Sequence, residues 1–521
     1  MGTSKAYATS PHETSKMPPG IPFIIGNELA ERFSFYGMKA ILTVFMTKHL
    51  LDAAGQPDYM GDEEAKGVYH LFTAAAYFFP MIGAIISDVL WGKYRTILFI
   101  SLMYCLGHGM LALMDLGPVT GGWDMRPFMY IGLLLIAIGA GGIKPCVSAH
   151  VGDQFGEKNK HLISKTFSWF YFSINVGAAT STMLTPIFLD QFGPWLAFGV
   201  PGVLMGIATF LFWLGRNRFV HIPAAGWQKF KEETFSPAGK RALVNLAPLF
   251  LLFVPMFWAI FDQTGSAWVL QAQEMDRKFM GVTWLESQVQ AVNPVLILIL
   301  IPTFAYGLYP LLGRFFKVTP LRKIGIGLFL TAGAFAISAL IDIAIAERSA
   351  EVASAMATQL GLDGSASPSV QSMVIAATEQ GWEVAEINRY LEPMPNIGWQ
   401  FLAYVVLTAA EVMVSITCLE FAYTQSPKKM KSFIMGVYFL GVSLGNLFTS
   451  GVNFVLAKFQ NEDGTTMLDG ANYYWFFAGL MLIVSIIYIP FALRYKGETF
   501  IQGEEDAEIA QEEAKAEGPD A

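Results

Sequence analysis

The chain has 521 residues, 54% of them hydrophobic and 15% charged, with a mean hydropathy of +0.44. Soluble domains carry about a quarter charged residues, so this composition excludes a water-soluble globule and asks for lipid around most of the surface. The formal charge of −8 comes with no basic cluster able to follow a phosphate backbone, which argues against a nucleic-acid partner.

Residues 1–19 are polar, lack the charged start and small-residue cleavage site of a signal peptide, and read as a cytoplasmic tail. Crossing the hydrocarbon core takes about 20 helical residues. Such runs occur at 20–49, 67–91, 95–117, 127–151, 163–189, 194–216, 241–270, 288–314, 323–346, 397–424, 432–457 and 471–496, twelve in all. The first and seventh are weakest in hydropathy because each holds acidic residues. The predicted fold is therefore an all-α membrane protein. Cys105, Cys146 and Cys418 each lie inside an apolar run and form no disulfide framework. No metal cluster or catalytic triad is legible, which argues against an enzyme.

The connections fix an expected orientation. Lys93 and Arg95, then Lys158, Lys160 and Lys165, then Arg216, Arg218, Lys229, Lys231, Lys240 and Arg241 fall in one alternating set. Arg314, Lys317, Arg322, Lys323, Lys428, Lys429 and Lys431 continue it. The other set holds Asp52, Asp58, Asp62, Glu63, Glu64, Asp115, Asp124, Asp190 and Glu462. Positive charge favours the cytoplasm, so both termini are predicted inside. Two long connections divide the chain into a bundle at 20–216, a cytoplasmic linker at 217–240 and a bundle at 241–496. The linker carries an interfacial helix with Trp227 and Phe230 towards headgroups. The second bundle carries an outer loop at 347–396, with helical patterns at 350–360, 369–377 and 384–391. Gly361, Asp363, Gly364, Ser365 and Pro368 supply turns between them. Residues 497–521 form an acidic tail, predicted to be disordered.

Ionisable groups in hydrocarbon are costly, so each is read as a lining or coupling group, with a structural ion pair as the alternative. In span one, Glu28, Glu31 and Phe35 share a helix face, and Arg32 lies four residues beyond Glu28. Two carboxylates against one guanidinium can hold an exchangeable proton. Tyr36 adds a hydroxyl. Lys144, beside Pro145 in span four, needs a carboxylate from the protein or a ligand. Of Glu411 and Glu420 in span ten, Glu411 is nearer mid-span and the better cavity candidate, and Glu420 suits a cytoplasmic gate or helix lock. His70 in span two titrates near neutrality, with an ordinary interfacial histidine as the alternative. Asp262 in span seven can anchor an outer gate. Asn293, before Pro294, and Asn175 can offer amides to a ligand. Tyr36, Trp258, Trp268 and Tyr438 are candidates for apolar walls, with lipid packing the alternative. Positive charge in one half and negative in the other suits a zwitterion bound at the midplane between two bundles.

These residues resemble the proton-dependent oligopeptide transporter (POT/PTR) family within the major facilitator superfamily. The superfamily likeness includes the loop from Gly83 to Thr96, where Asp88 and the basic pair Lys93 and Arg95 can tie helix ends. More specific are Glu28-Leu29-Ala30-Glu31-Arg32-Phe33, Gly142-Ile143-Lys144-Pro145 with Asp153-Gln154-Phe155, and the run from Phe170 to Gly177. Phe257-Trp258-Ala259-Ile260-Phe261-Asp262-Gln263, Gln290-Ala291-Val292-Asn293-Pro294 and Leu419-Glu420-Phe421-Ala422-Tyr423 complete the pattern. The resemblance implies twelve helices in two six-helix bundles and proton-coupled import of di- and tripeptides. No cofactor is implied beyond the proton, and no obligate protein partner. It further implies proton coupling at Glu28, Glu31, Arg32 and His70, and substrate contacts at Arg32, Tyr36, Lys144, Asn175, Asn293 and Glu411. Two departures stand out: Phe35 replaces the first tyrosine of a common Tyr-Tyr pair, and 217–241 is too short for two extra helices found in many bacterial members. A proton-coupled carrier of an amino acid, nitrate or a peptide-like drug is the alternative.

Overall fold

The computed structural model describes residues 7–11, 13–116, 123–362, 369–425, 431–461 and 465–495. Lys428, Lys429, Glu462, the turn residues Asp363, Gly364, Ser365 and Pro368, and the acidic tail at 497–521 lie outside them.

The described chain is almost wholly helical. In order it forms α1 (Ile21–Lys48), α2 (Asp62–Trp91), α3 (Lys93–Met114), α4 (Met125–Gly152), α5 (Ile163–Phe192) and α6 (Pro194–Leu214). A short α7 (Trp227–Thr234) crosses to α8 (Gly239–Gln273) and α9 (Gln288–Leu312). Then come α10 (Pro320–Leu360), α11 (Val370–Glu379), α12 (Val384–Leu391), α13 (Gly398–Ala422), α14 (Lys431–Lys458) and α15 (Ala471–Arg494). Among the described residues, eleven helices are long and apolar enough to cross a membrane. The long helix outside that set is α1, whose 28 residues suffice in length but carry Glu28, Glu31, Arg32 and Lys39. Its weakness in hydropathy is the mark of its charges, as the sequence predicted; α8, expected to be weak as well, is not, because its apolar run outweighs Asp262, and it counts among the eleven.

Local chemistry sets the helix ends. Asp124 caps α4 by accepting from the Arg126 N–H at 2.9 Å, satisfying an otherwise orphaned donor. Pro320 opens α10, and Gly361 closes it in the left-handed conformation at φ 71°. Between those stops run 41 residues, about 62 Å of helix, roughly twice the hydrocarbon thickness. The segment at 350–360 is thus no separate loop helix but the end of span nine. With no Gly or Pro from 334 to 360, nothing in the sequence stops the helix at the membrane surface. The other two loop helices form as α11 and α12 and pack on the end of α10 through Val352, Met356, Val374 and Ile387. They make a cap at one end of the bundle, here the capped end; the opposite end is the far end.

Buried apolar side chains gather into two large clusters. One draws on residues 21–219 with Val269, the other on residues 246–488. Glycine permits the tightest crossings: a Cβ on Gly83 in α2 would lie 2.1 Å from the Gly142 carbonyl oxygen of α4. The clusters meet along α2 and α14, where the Ser443 and Ser450 hydroxyls donate to the carbonyls of Ala74 and Gly67 at 2.7 and 2.8 Å. Such bonds hold helices together where no water competes. Near the capped end, a hairpin of β1 (Lys278–Phe279) and β2 (Val282–Thr283) turns through Met280 and Gly281, both at positive φ.

Gly83→Val should prevent assembly of α2 on α4, since backbone on both sides blocks relaxation. We expect little or no monodisperse protein on size exclusion in detergent, against a normal profile for Gly26→Val, where nothing lies within 4 Å of an added Cβ.

Candidate functional site

A cavity lies between the two clusters. Tyr36, Asn175, Trp258, Asp262, Asn293 and Glu411 all line it. Six side chains singled out by sequence, from α1, α5, α8, α9 and α13, thus share one chamber.

Glu411 ends the regular part of α13, and a π-helical turn at Val412–Ile416 follows it. Such turns recur at functional sites. The Asn293 amide donates to the Glu411 carboxylate at 2.7 Å and to the Thr408 hydroxyl at 3.1 Å. Pro294 does not break the helix but sits in the first turn of its regular part at Val292–Thr303, and the Asn293 amide beside it meets the acid; Glu411 keeps further acceptor capacity for a ligand cation. The Asn175 amide is spent on the Tyr171 carbonyl of its own helix at 2.9 Å, which leaves its carbonyl oxygen as the group it offers.

Behind Tyr36, Arg32 Nε lies 2.7 Å from Glu28 Oε1 and 3.1 Å from Glu31 Oε2, all three residues being buried. Of the two sources of a carboxylate expected for Lys144, protein or ligand, the described residues supply none at hydrogen-bond distance. The Lys144 ammonium lies 4.1 Å from the Phe35 ring centroid and 4.3 Å from that of Tyr77, with no hydrogen-bond partner among the described residues. Aromatic faces attract a cation through their quadrupole without neutralising it. Arg32 and Lys144 do not line the cavity directly; Tyr36 and Tyr77 stand between.

The capped side of the cavity is shut by a polar chain. Lys39 Nζ in α1 lies 2.6 Å from Asp262 Oδ1 in α8. Asn446 of α14 donates to Asp262 Oδ2 at 2.8 Å and bonds His70 Nδ1 at 2.8 Å, and His70 Nε2 meets the Ser266 hydroxyl at 2.9 Å. His70, wholly buried and bonded at both nitrogens, is no surface residue. Thr43 and Gln290 add bonds across the same seam, to the carbonyls of Gly265 and Ala40. Beyond them Lys48 Nζ lies 2.7 Å from Glu286, which also pairs with Arg277. Sequence reasoning passed over Lys39, though the rule that found Arg32 applies to it equally: a cation two helical turns further along the same span.

Other residues fall elsewhere. Trp268 is packed between Phe335 and Tyr404 and does not line this cavity. Tyr438 is buried beside Phe250, one layer behind the cavity. Glu420 is exposed, on the far side of the π-turn from Glu411 and without an ion pair among the described residues.

The model of the POT family matches residues 94–235 and 227–476. The chain is 40% identical over 365 residues to peptide transporter family 1 of Drosophila melanogaster, covering 63% of this chain and 48% of that one. It is 37% identical over 373 residues to human solute carrier family 15 member 2, covering 64% and 50%. It thus spans about half the length of the curated relatives it matches. Among solved structures, an auto-inhibited POT family peptide transporter superposes with a TM-score of 0.72 at 32% identity, over 93% of this chain and 99% of that one. The POT family transporter PepTSo gives 0.69 at 32% identity, over 92% and 99%.

Glu286, outside the long helices, yields a pH dependence. Burial alone pushes its carboxyl up, but the Lys48 ammonium and the Arg277 guanidinium outweigh it and hold Glu286 at about 2, against an ordinary 4.5. The closed seam therefore binds this proton less readily than an arrangement in which Glu286 is unpaired. Its stabilisation, on the order of 3 kcal/mol, is full above about 4.5 and fades as pH falls towards 2. Thermal midpoints of wild type and Glu286→Gln in detergent should differ most near pH 7 and converge only as pH falls from about 4.5 to about 2. A gap unchanged across that range would contradict the assignment.

Proposed function

This chain belongs to the POT family, and from that premise we propose that it is a symporter importing di- and tripeptides with protons by alternating access. It is a multi-pass membrane protein of the major facilitator superfamily fold. The observation that carries the proposal is the division of charge about the cavity. Glu28, Glu31, Arg32 and Lys144 belong to the first half of the chain, and the Glu411–Asn293 pair to the second. A short peptide is a zwitterion, and its two ends fit that division. Its ammonium goes to Glu411, with the carbonyl oxygen of Asn175 beside it. Its carboxylate goes to Lys144, whose aromatic neighbours leave its charge free, and to Arg32 when a proton loosens the hold of Glu31.

We take the capped end as outside, on the distribution of Lys and Arg among the connections. The halves at 20–216 and 241–496 then rock about the cavity, with 217–240 as the linker. Lys39–Asp262 and Lys48–Glu286 close the outside, and the far end is the route to the cytoplasm. Glu420, at that far end, is left for the gate that forms when the inside closes. A proton reaching Glu31, with the His70–Asn446–Asp262 chain at the entrance, neutralises one of two carboxylates around one guanidinium. Arg32 can then turn to the peptide. Substrate and proton must together favour the closed, loaded state, since a ligand of equal affinity for both states shifts neither. The protein makes and breaks no covalent bond, and needs no cofactor beyond the proton.

Glu31→Gln should abolish peptide uptake driven by an inward proton gradient in proteoliposomes while leaving counterflow exchange. Gradient-driven uptake at the wild-type rate in that variant would sink the coupling role. In the same vesicles, di- and tripeptides should compete for uptake and nitrate should not; competition by nitrate would favour the alternative cargo.

Glu411→Gln should raise the KM for free peptides at least tenfold, about 1.4 kcal/mol of lost charge-assisted bonding. N-acetylated peptides, which carry no ammonium, should be handled equally poorly by variant and wild type. Equal sensitivity of both peptide classes to the substitution would place the amino terminus elsewhere.

A further inference from the structure

The connection from α8 to α9 carries a hairpin that the transport cycle leaves without a role. β1 and β2 pair Phe279 with Val282, so Met280 and Gly281 alone form the turn, at φ 52° and 81°. Two central residues at positive φ are the pattern of a type I′ turn, which favours Asn-Gly or Asp-Gly. Glycine meets that demand freely, whereas the Cβ of a methionine makes it costly. Met280 is the single non-glycine residue at positive φ among those described. At 88% exposure it is also the most exposed large apolar side chain among them. A turn projecting into water would gain from asparagine on both counts. Val282 and Lys278 beside it are exposed as well.

Packing sets the hairpin at the level of the membrane surface. Phe279 and Trp284 both meet the Phe401 ring edge to face, with centroids 5.0 and 5.4 Å apart. A Cβ on Gly398, the first residue of α13, would lie 2.9 Å from the Phe279 ring, so glycine lets the strand close on the helix. The 25 residues of α13 make about 37 Å of helix for about 30 Å of hydrocarbon. Its first turn therefore lies at the edge of the hydrocarbon. Trp399, Leu402 and Val405, three residues apart, are exposed along one stripe of this helix. That stripe meets lipid, with the indole at headgroup level, where tryptophan is favoured. The hairpin adjoins it.

We propose that this hairpin is a membrane anchor, with Met280 and Val282 seated in the lipid leaflet at the capped end and Lys278 among its phosphates. Lipid removes the apolar tip from water, and a lysine stem reaches from an apolar boundary to a charged one. The anchor bears directly on the seam. The Trp284 N–H donates to the Arg277 carbonyl at 3.0 Å and closes the base of the hairpin, and Arg277 shares Glu286 with Lys48. Next to Arg277, Asp276 accepts from the amides of Asn388 on α12 and Asn396 at 2.9 and 2.7 Å. Arg277 is thereby held between the cap and the leaflet. The anchor depends neither on the cargo nor on which compartment the capped end faces.

The test compares Met280→Cys, Glu386→Cys and Leu402→Cys in proteoliposomes, each labelled with the fluorophore NBD, with labelled wild type as the background from its own cysteines. Glu386, exposed on α12, reports water, and Leu402 reports lipid. A phospholipid carrying a nitroxide near its carbonyls should quench the label at 280 as it does at 402, roughly twofold more than at 386, since interfacial insertion reaches about 5–10 Å. Aqueous iodide should show the reverse order. Iodide quenching at 280 equal to that at 386, with none from the nitroxide lipid, overturns the anchor. Protection from both quenchers, as a protein covering the tip would give, overturns it too. If the labelled Met280→Cys does not fold, methyl spectra of wild type with carbon-13 methionine replace it, the Met280 signal being the one absent from Met280→Leu. Broadening of that signal by the nitroxide lipid is expected; broadening by a water-soluble relaxation agent alone overturns the proposal.

Discussion

An unpaired charge inside a bilayer has no cheap state, and the structure is organised around that constraint. Each buried cation of α1 is met differently. Arg32 is divided between two acids of its own helix, Lys39 reaches Asp262 in the second half of the chain, and Lys48 shares Glu286 with Arg277. The first pairing leaves a surplus carboxylate, and the other two cross between halves. Separating the halves on that side strands charges unless water enters, so opening the seam and hydrating it are one event. Closure and charge state are thereby linked.

Lys144 is the instructive exception. Its ammonium rests between the rings of Phe35 and Tyr77 rather than against an acid. Phe35 offers the cation a ring face and no hydroxyl. The ammonium therefore has no hydrogen-bond partner among the described residues.

Much of this was legible in the sequence because hydrocarbon imposes a simple grammar. Apolar runs of about 20 residues could become only helices, and the acids and bases interrupting them marked the cavity. The six lining residues came from that rule together with the family resemblance. Partners were not legible. Nothing in the spacing of Lys39 and Asp262, 223 residues apart, tells that they meet, and the Asn446 that joins His70 to Asp262 reads as an ordinary polar residue of a crowded helix. Trp268 failed as a wall because an indole on an apolar helix serves a core as readily as a cavity. The segment at 350–360 was misjudged as a separate helix because composition changes at the membrane surface while helix propensity does not.

That unbroken α10 couples the cap to the membrane as a lever. A tilt of about 10° within the bilayer sweeps a tip roughly 60 Å away through about 10 Å, carrying α11 and α12 with it as one packed unit. Gln371 on α11 meanwhile grips Asp62 of α2 at 2.6 Å, a contact too short to follow such an arc. Conformational change at the midplane is therefore amplified into displacement of an aqueous surface, where a bound antibody fragment could arrest the cycle without touching the chamber.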